Sequence, residues 1–85
     1  MTALNQHRIY YFAWVRETAG RDEEVLDLPE GSTGDAVLDY LLSTYPALEE
    51  RREKLNLAIN QEHADWSTPV QAGDELAVFP PVTGG

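Results

Sequence analysis

The sequence predicts an α+β fold in two layers, a mixed sheet of about five strands with one main helix on one face. Three observations carry this reading. Ile9-Tyr10-Tyr11-Phe12-Ala13-Trp14-Val15 is a nearly unbroken apolar and aromatic run, which suits a central strand. Val37, Leu38, Leu41, Leu42 and Tyr45 recur at helical spacing and form one amphipathic segment. Leu55, Leu57 and Ile59, and later Leu76 and Val78, alternate with other residues as strands with one apolar face do.

Taken in order, the first strand spans His7 to Val15, with His7 near its frayed start. Arg16 to Gly20 is a short helical turn or loop ended by glycine, and Glu23 to Leu28 is the second strand of a hairpin-like pair, stopped by Pro29. Ser32 with Asp35 three residues on resembles a capping box, so the helix starts there and ends before Pro46. Leu48 to Lys54 is a mixed-charge helical extension or surface loop in which the charged residues 49–54 face water. The strand of Leu55, Leu57 and Ile59 follows, then a turn through Asn60, Gln61 and His63, a short edge strand at Ala64 to Trp66, and a final strand from Glu75 to Phe79. The long connection through the helix lets the first and last strands run parallel in the middle of the sheet. That is the β-grasp, or ubiquitin-like, plan, occupying residues 1–79 and followed by a tail, 80–85.

One helix covers only one face of the sheet. If Leu76 and Val78 meet it, Glu75, Ala77 and Phe79 lie on the open face. By the same alternation Ile9, Tyr11 and Ala13 are core, while Arg8, Tyr10, Phe12 and Trp14 share the open face. An aromatic patch on a small acidic domain marks a protein interface.

Composition narrows the function. Eighty-five residues make one domain, too short for a cleft that buries a substrate on every side, which disfavours a self-contained enzyme. No apolar run has the length of a membrane span, and the start lacks the pattern of a secretion signal, so a cytoplasmic protein is expected. With no cysteine, neither a disulfide nor a thiolate zinc site nor a side-chain sulfur nucleophile is possible. A net charge of -9 repels phosphate and anionic lipid, so no nucleic-acid or membrane partner is expected. The acid serves solubility or steers the domain towards a basic protein surface. His7 and His63 lack a nucleophile partner, and His63 with Asp65 lacks a third ligand, so no metal is expected. No phosphate-binding glycine motif occurs, and Trp14 and Trp66 read as packing residues.

The last residues, Phe79-Pro80-Pro81-Val82-Thr83-Gly84-Gly85, read as the working part. Pro80 and Pro81 cannot donate to a sheet ladder, so they end the strand and start the tail in an extended direction. Gly84 and Gly85 lack a Cβ and pass through a channel closed to other residues, presenting the terminal carboxylate. At about 3.3 Å per residue, the tail from Pro80 to Gly85 projects roughly 20 Å.

Phe12-Ala13-Trp14-Val15-Arg16-Glu17 with Gly20, Ala58-Ile59-Asn60-Gln61, and above all Gly73-Asp74-Glu75-Leu76-Ala77-Val78-Phe79-Pro80-Pro81-Val82-Thr83-Gly84-Gly85 resemble the small subunit of molybdopterin synthase, the MoaD family. The resemblance runs from about Tyr10 to Gly85 and implies a ubiquitin-like sulfur carrier. An E1-like adenylyltransferase would use ATP and magnesium to adenylate the Gly85 carboxylate, and a persulfide relay protein would convert it to a thiocarboxylate. The tail, Pro80, Pro81, Val82, Thr83 and Gly84, would then enter the large synthase subunit of a heterotetramer and deliver sulfur to the pyranopterin precursor of molybdenum cofactor. Phe12 and Phe79 match the family's partner-docking aromatics, and the chain itself would bind no cofactor. His63 stands where the family can place a leucine, and Val78 replaces a frequent aromatic. Three alternatives stay open: a related carrier for thiamine or tRNA thiolation, a ubiquitin-like protein modifier, and a plain interaction domain whose end has no role.

Overall fold

The computed structural model describes residues 3–81. Five strands form one mixed sheet in the order β2-β1-β5-β3-β4: β1 (Leu4–Tyr11), β2 (Glu23–Pro29), β3 (Asn56–Ile59), β4 (Glu62–Ala64) and β5 (Leu76–Phe79). β1 and β5 run parallel, with Ile9 beside Leu76 and Tyr11 beside Val78, as the crossover through the helix requires. The other pairings, β1 with β2, β3 with β5 and β3 with β4, are antiparallel.

The main helix, α2 (Gly34–Thr44), covers one face. Its Val37, Leu38 and Leu41 join Ile9, Tyr11, Leu76 and Val78 in the core, each large side chain contributing about 1.5–3 kcal/mol by leaving water. Helix and sheet meet closely at Gly34. A Cβ there would stand 2.8 Å from the main-chain oxygen of Trp66 and 2.6 Å from Leu57 Cδ2, while its own N–H donates to the Thr68 carbonyl at 3.0 Å. A 3-10 helix, Pro46–Lys54, carries the mixed charges outward and buries Leu48.

Several boundaries differ from the sequence reading. The first strand begins at Leu4 and stops at Tyr11, because Ala13–Ala19 is a helix, α1, ended by Gly20 in the left-handed region at φ 75°. Ala13 is therefore exposed instead of core, and Trp14 leaves the open face to lie half-buried beneath the Arg51 guanidinium, 4.8 Å from its ring centroid. Such stacking suits a planar cation over an indole. Val15 turns inward and is fully buried. His7 is not frayed: it is 2% exposed, and its Nδ1 pairs with the Asp74 carbonyl at 2.9 Å. The capping box does not form. Thr33 occupies the N-cap position without a side-chain cap bond, and Ser32 Oγ donates instead to the Pro29 carbonyl at 2.6 Å. The edge strand lies two residues earlier than expected, at Glu62–Ala64, and Trp66 packs against the core from the following loop.

Glu24 is a feature that the sequence reading did not single out. It is an acid in the second strand, and its side chain is only 6% exposed. Its two oxygens accept hydrogen bonds from the Tyr40 and Tyr45 hydroxyls, and Arg21 stands 3.8 Å away. Burial alone would raise its pKa, but the hydroxyls of Tyr40, Tyr45 and Tyr11 and the Arg21 charge outweigh it and hold the carboxyl below its usual value. The Tyr11 hydroxyl, buried against this carboxylate, makes no bond of good geometry among the described residues. The cluster ties β2 to both ends of the α2 C-terminal turn.

Candidate functional site

The face away from α2 is built by strand alternation. Across it the register sets Tyr10 of β1 beside Ala77 of β5, Ala77 beside Ala58 of β3, and Ala58 beside His63 of β4. Two alanines thus form a low floor between larger side chains. Two residue pairs nearer the end of β5, Phe79 faces Asn56, and the His63 ring stands edge-on to Phe79 with centroids 6.0 Å apart. His63 Nε2 also lies 3.3 Å from Asn56 Oδ1, which fixes the ring's orientation. On the other side Phe12, just after β1, is 50% exposed although its N–H is anchored to the Val78 carbonyl at 3.3 Å.

Tyr10, Phe12, Gln61, Glu75 and Ala77 line a shallow groove of about 250 Å³ along the β1–β5 boundary. Its rim is acidic. Tyr10 Oη donates to Glu75 at 3.3 Å, and partial loss of solvent together with the Glu75 charge raises the phenol's pKa. At the same edge Arg8 is paired with Glu23 at 2.7 Å.

The groove ends at the β3–β4 turn, a two-residue loop in which Asn60 (φ 52°) and Gln61 (φ 72°) both take positive φ, as a tight hairpin of this length requires. Asn60 is bolted to the residues that lead into β5: its N–H donates to the Glu75 carbonyl at 2.8 Å, its Nδ2 to Asp74 Oδ1 at 2.8 Å, and its Oδ1 accepts from the Glu75 N–H at 3.0 Å.

The expected docking aromatics Phe12 and Phe79 both lie on this open side, as alternation indicated, and Val78 is fully buried in the core. Pro80 and Pro81 follow β5 outside the ladder. Val82, Thr83, Gly84 and Gly85 lie outside the described residues. His63 joins the aromatic patch, which the sequence left in doubt, and no third ligand stands with it and Asp65, since no metal-type cluster occurs among the described residues. Gln61 was read only as part of a turn. The sequence reading ran that turn on to His63, so the two-residue loop between Ile59 and Glu62 and its left-handed backbone went unrecognised.

The fold is shared by solved structures, and residues 9–85 match the ThiS family. The chain belongs to that family. This ThiS-family protein is 42% identical over 84 residues to the molybdopterin synthase sulfur carrier subunit of Arabidopsis thaliana, covering 99% of this chain and 88% of that one. It superimposes on the crystal structure of SAMP1, small archaeal modifier protein 1, from Haloferax volcanii with a TM-score of 0.78 at 38% identity, covering 95% of this chain and 100% of that one. A protein-protein complex of subunits 1 and 2 of the molybdopterin-converting factor from Helicobacter pylori contains a chain of the same fold, with a TM-score of 0.61 at 23% identity over 94% of this chain and 99% of that one. The small-subunit resemblance drawn from the sequence is thus upheld, as is the β-grasp fold. Among the described residues no helix is long and apolar enough to cross a membrane.

Proposed function

We propose that this chain is the sulfur carrier of a molybdopterin synthase, working in the cytoplasm with a large catalytic subunit. The observation that carries the reading is the open face: Phe12, Tyr10, Ala77 and Phe79 form an apolar surface that runs to the end of β5, where Pro80 hands the chain to its last residues. A partner seated on that surface receives the tail. The free Gly85 carboxylate, with an ordinary pKa of about 3.5, is ionised at neutral pH and is a poor electrophile. An E1-like adenylyltransferase therefore joins it to AMP, using ATP and magnesium. The outer sulfur of a relay protein's persulfide then forms the C–S bond as the bond to AMP breaks. A thiol cleaves the S–S bond of that acyl disulfide, ending as a disulfide with the relay cysteine and leaving the thiocarboxylate. The resulting thiocarboxylate enters the large subunit behind Pro80, Pro81, Val82, Thr83 and Gly84 and delivers its sulfur to the pyranopterin precursor. This chain supplies the docking face and the sulfur, and its partners supply the catalytic side chains.

Removing Gly84 and Gly85 tests this reading. The shortened chain keeps its circular dichroism and thermal midpoint but supports no product in a reconstituted synthase; undiminished product would contradict the proposal. A second reading, a protein modifier whose Gly85 forms an isopeptide bond with a lysine, is favoured by the 38% identity to SAMP1. Both uses need the same activated terminus. A carrier for thiamine or tRNA thiolation needs it too and differs in the acceptor, so product assays with each acceptor separate the three.

A further inference from the structure

Among the described residues, the non-glycine positions with positive φ are Ala13, Asn60 and Gln61; Gln61 lines the groove, and the other two are the chain neighbours of its lining residues Phe12 and Gln61. Ala13 follows Phe12, whose ring forms one wall. Asn60 and Gln61 form the turn at the other end. Asparagine tolerates left-handed backbone, but alanine and glutamine pay for it, and glycine is the favoured second residue of such a turn. A backbone cost of this kind collects at sites where the side chain is needed. Space does not explain the choice, since Gln61 is exposed and its amide is not engaged in a hydrogen bond seen among the described residues. The turn is also held unusually firmly, because Asn60 makes three hydrogen bonds to Asp74 and Glu75. A free-swinging surface glutamine needs no such mounting.

We infer that Gln61 is a specificity-determining contact of the carrier, its side-chain amide hydrogen-bonding a main-chain peptide group of the large subunit as that partner covers the groove beside Phe12. The inference rests on the docking reading above. The chemistry follows from the surroundings: the groove is apolar between Tyr10, Phe12 and Ala77, and a primary amide offers one donor and one acceptor side, matching a peptide unit. Burying that amide under a partner without a match would be costly, so the contact also rejects proteins lacking a peptide group there.

Three variants test this by titration against the large subunit, with thermal melts in parallel. Gln61→Gly relieves the backbone and removes the amide, so its thermal midpoint rises while affinity falls about fivefold to tenfold. Gln61→Ala removes the amide but keeps the backbone cost, so affinity falls similarly with little change in midpoint. Phe79→Asp reports on the docking face itself. Loss of affinity in Phe79→Asp with none in either Gln61 variant overturns the inference and leaves the docking reading standing. No loss in any of the three overturns both.

Discussion

His63 meets Phe79 edge-on, ring centroids 6.0 Å apart and planes at 70°, reaching across β3 on the open face. The pair joins β4 to the last strand, so the aromatic patch extends to the sheet edge and is not confined to β1 and β5. Its apolar member is expected to carry the binding. Phe79→Asp places a charge in a surface that must lose water on docking and weakens large-subunit binding by roughly 2 kcal/mol or more, about thirtyfold, in a calorimetric titration. His63→Leu keeps the contact with Phe79 and leaves affinity equal or higher. A large loss with leucine would mean that the imidazole makes a polar contact of its own.

Glu24 and its tyrosines set the pH range of the fold. The folded carboxyl is held below its usual value, so its contribution is present above the unfolded pKa and is lost as pH falls through the folded one. Glu24→Gln removes the charge that two partly buried hydroxyls address and costs about 1–3 kcal/mol at neutral pH. It also flattens the acid limb of stability against pH. Denaturant melts from neutral to acid conditions check both effects, and an unchanged acid limb would contradict them.

On the alkaline side the sign reverses. Burial and the Glu24 charge push Tyr45 up to about 12, and the same causes raise Tyr11 and Tyr40. The neutral phenols are favoured in the folded state, so their contribution is full below the ordinary tyrosine pKa and fades as pH rises towards the folded values. Ultraviolet titration should show tyrosinate forming late and together with loss of structure. Two or more phenols titrating normally in the folded protein would contradict the cluster.

Gly34 leaves no room for a methyl group. The nearest obstruction includes the Trp66 main-chain oxygen, which cannot rotate aside as the Leu57 side chain can. Gly34→Ala is therefore expected to lose about 1–3 kcal/mol despite alanine's better helix propensity. Equilibrium unfolding measures the balance, and a stabilised variant would show that α2 shifts freely on the sheet.

The sheet was legible because alternation is local: Leu76 and Val78 inward with Ala77 and Phe79 outward follows from four adjacent residues. The end of β1 was not, since Phe12, Ala13, Trp14 and Val15 are apolar in either conformation and the change falls at Ala13's left-handed backbone. Glu24 and His7 escaped notice because their partners are remote in the chain, Tyr40 and Tyr45 for one and Asp74 for the other. The aromatic patch was readable from Phe12 and Phe79. Its completion by His63 depended on a strand that the sequence placed two residues late.

The central claim is that Gly85 carries sulfur, and intact mass spectrometry of the protein from its native host tests it most directly. With activating enzyme, ATP and a sulfur donor available, a fraction of the chains should show one oxygen replaced by sulfur, located by fragmentation at Gly85. A terminus that stays an unmodified carboxylate under those conditions would contradict the account.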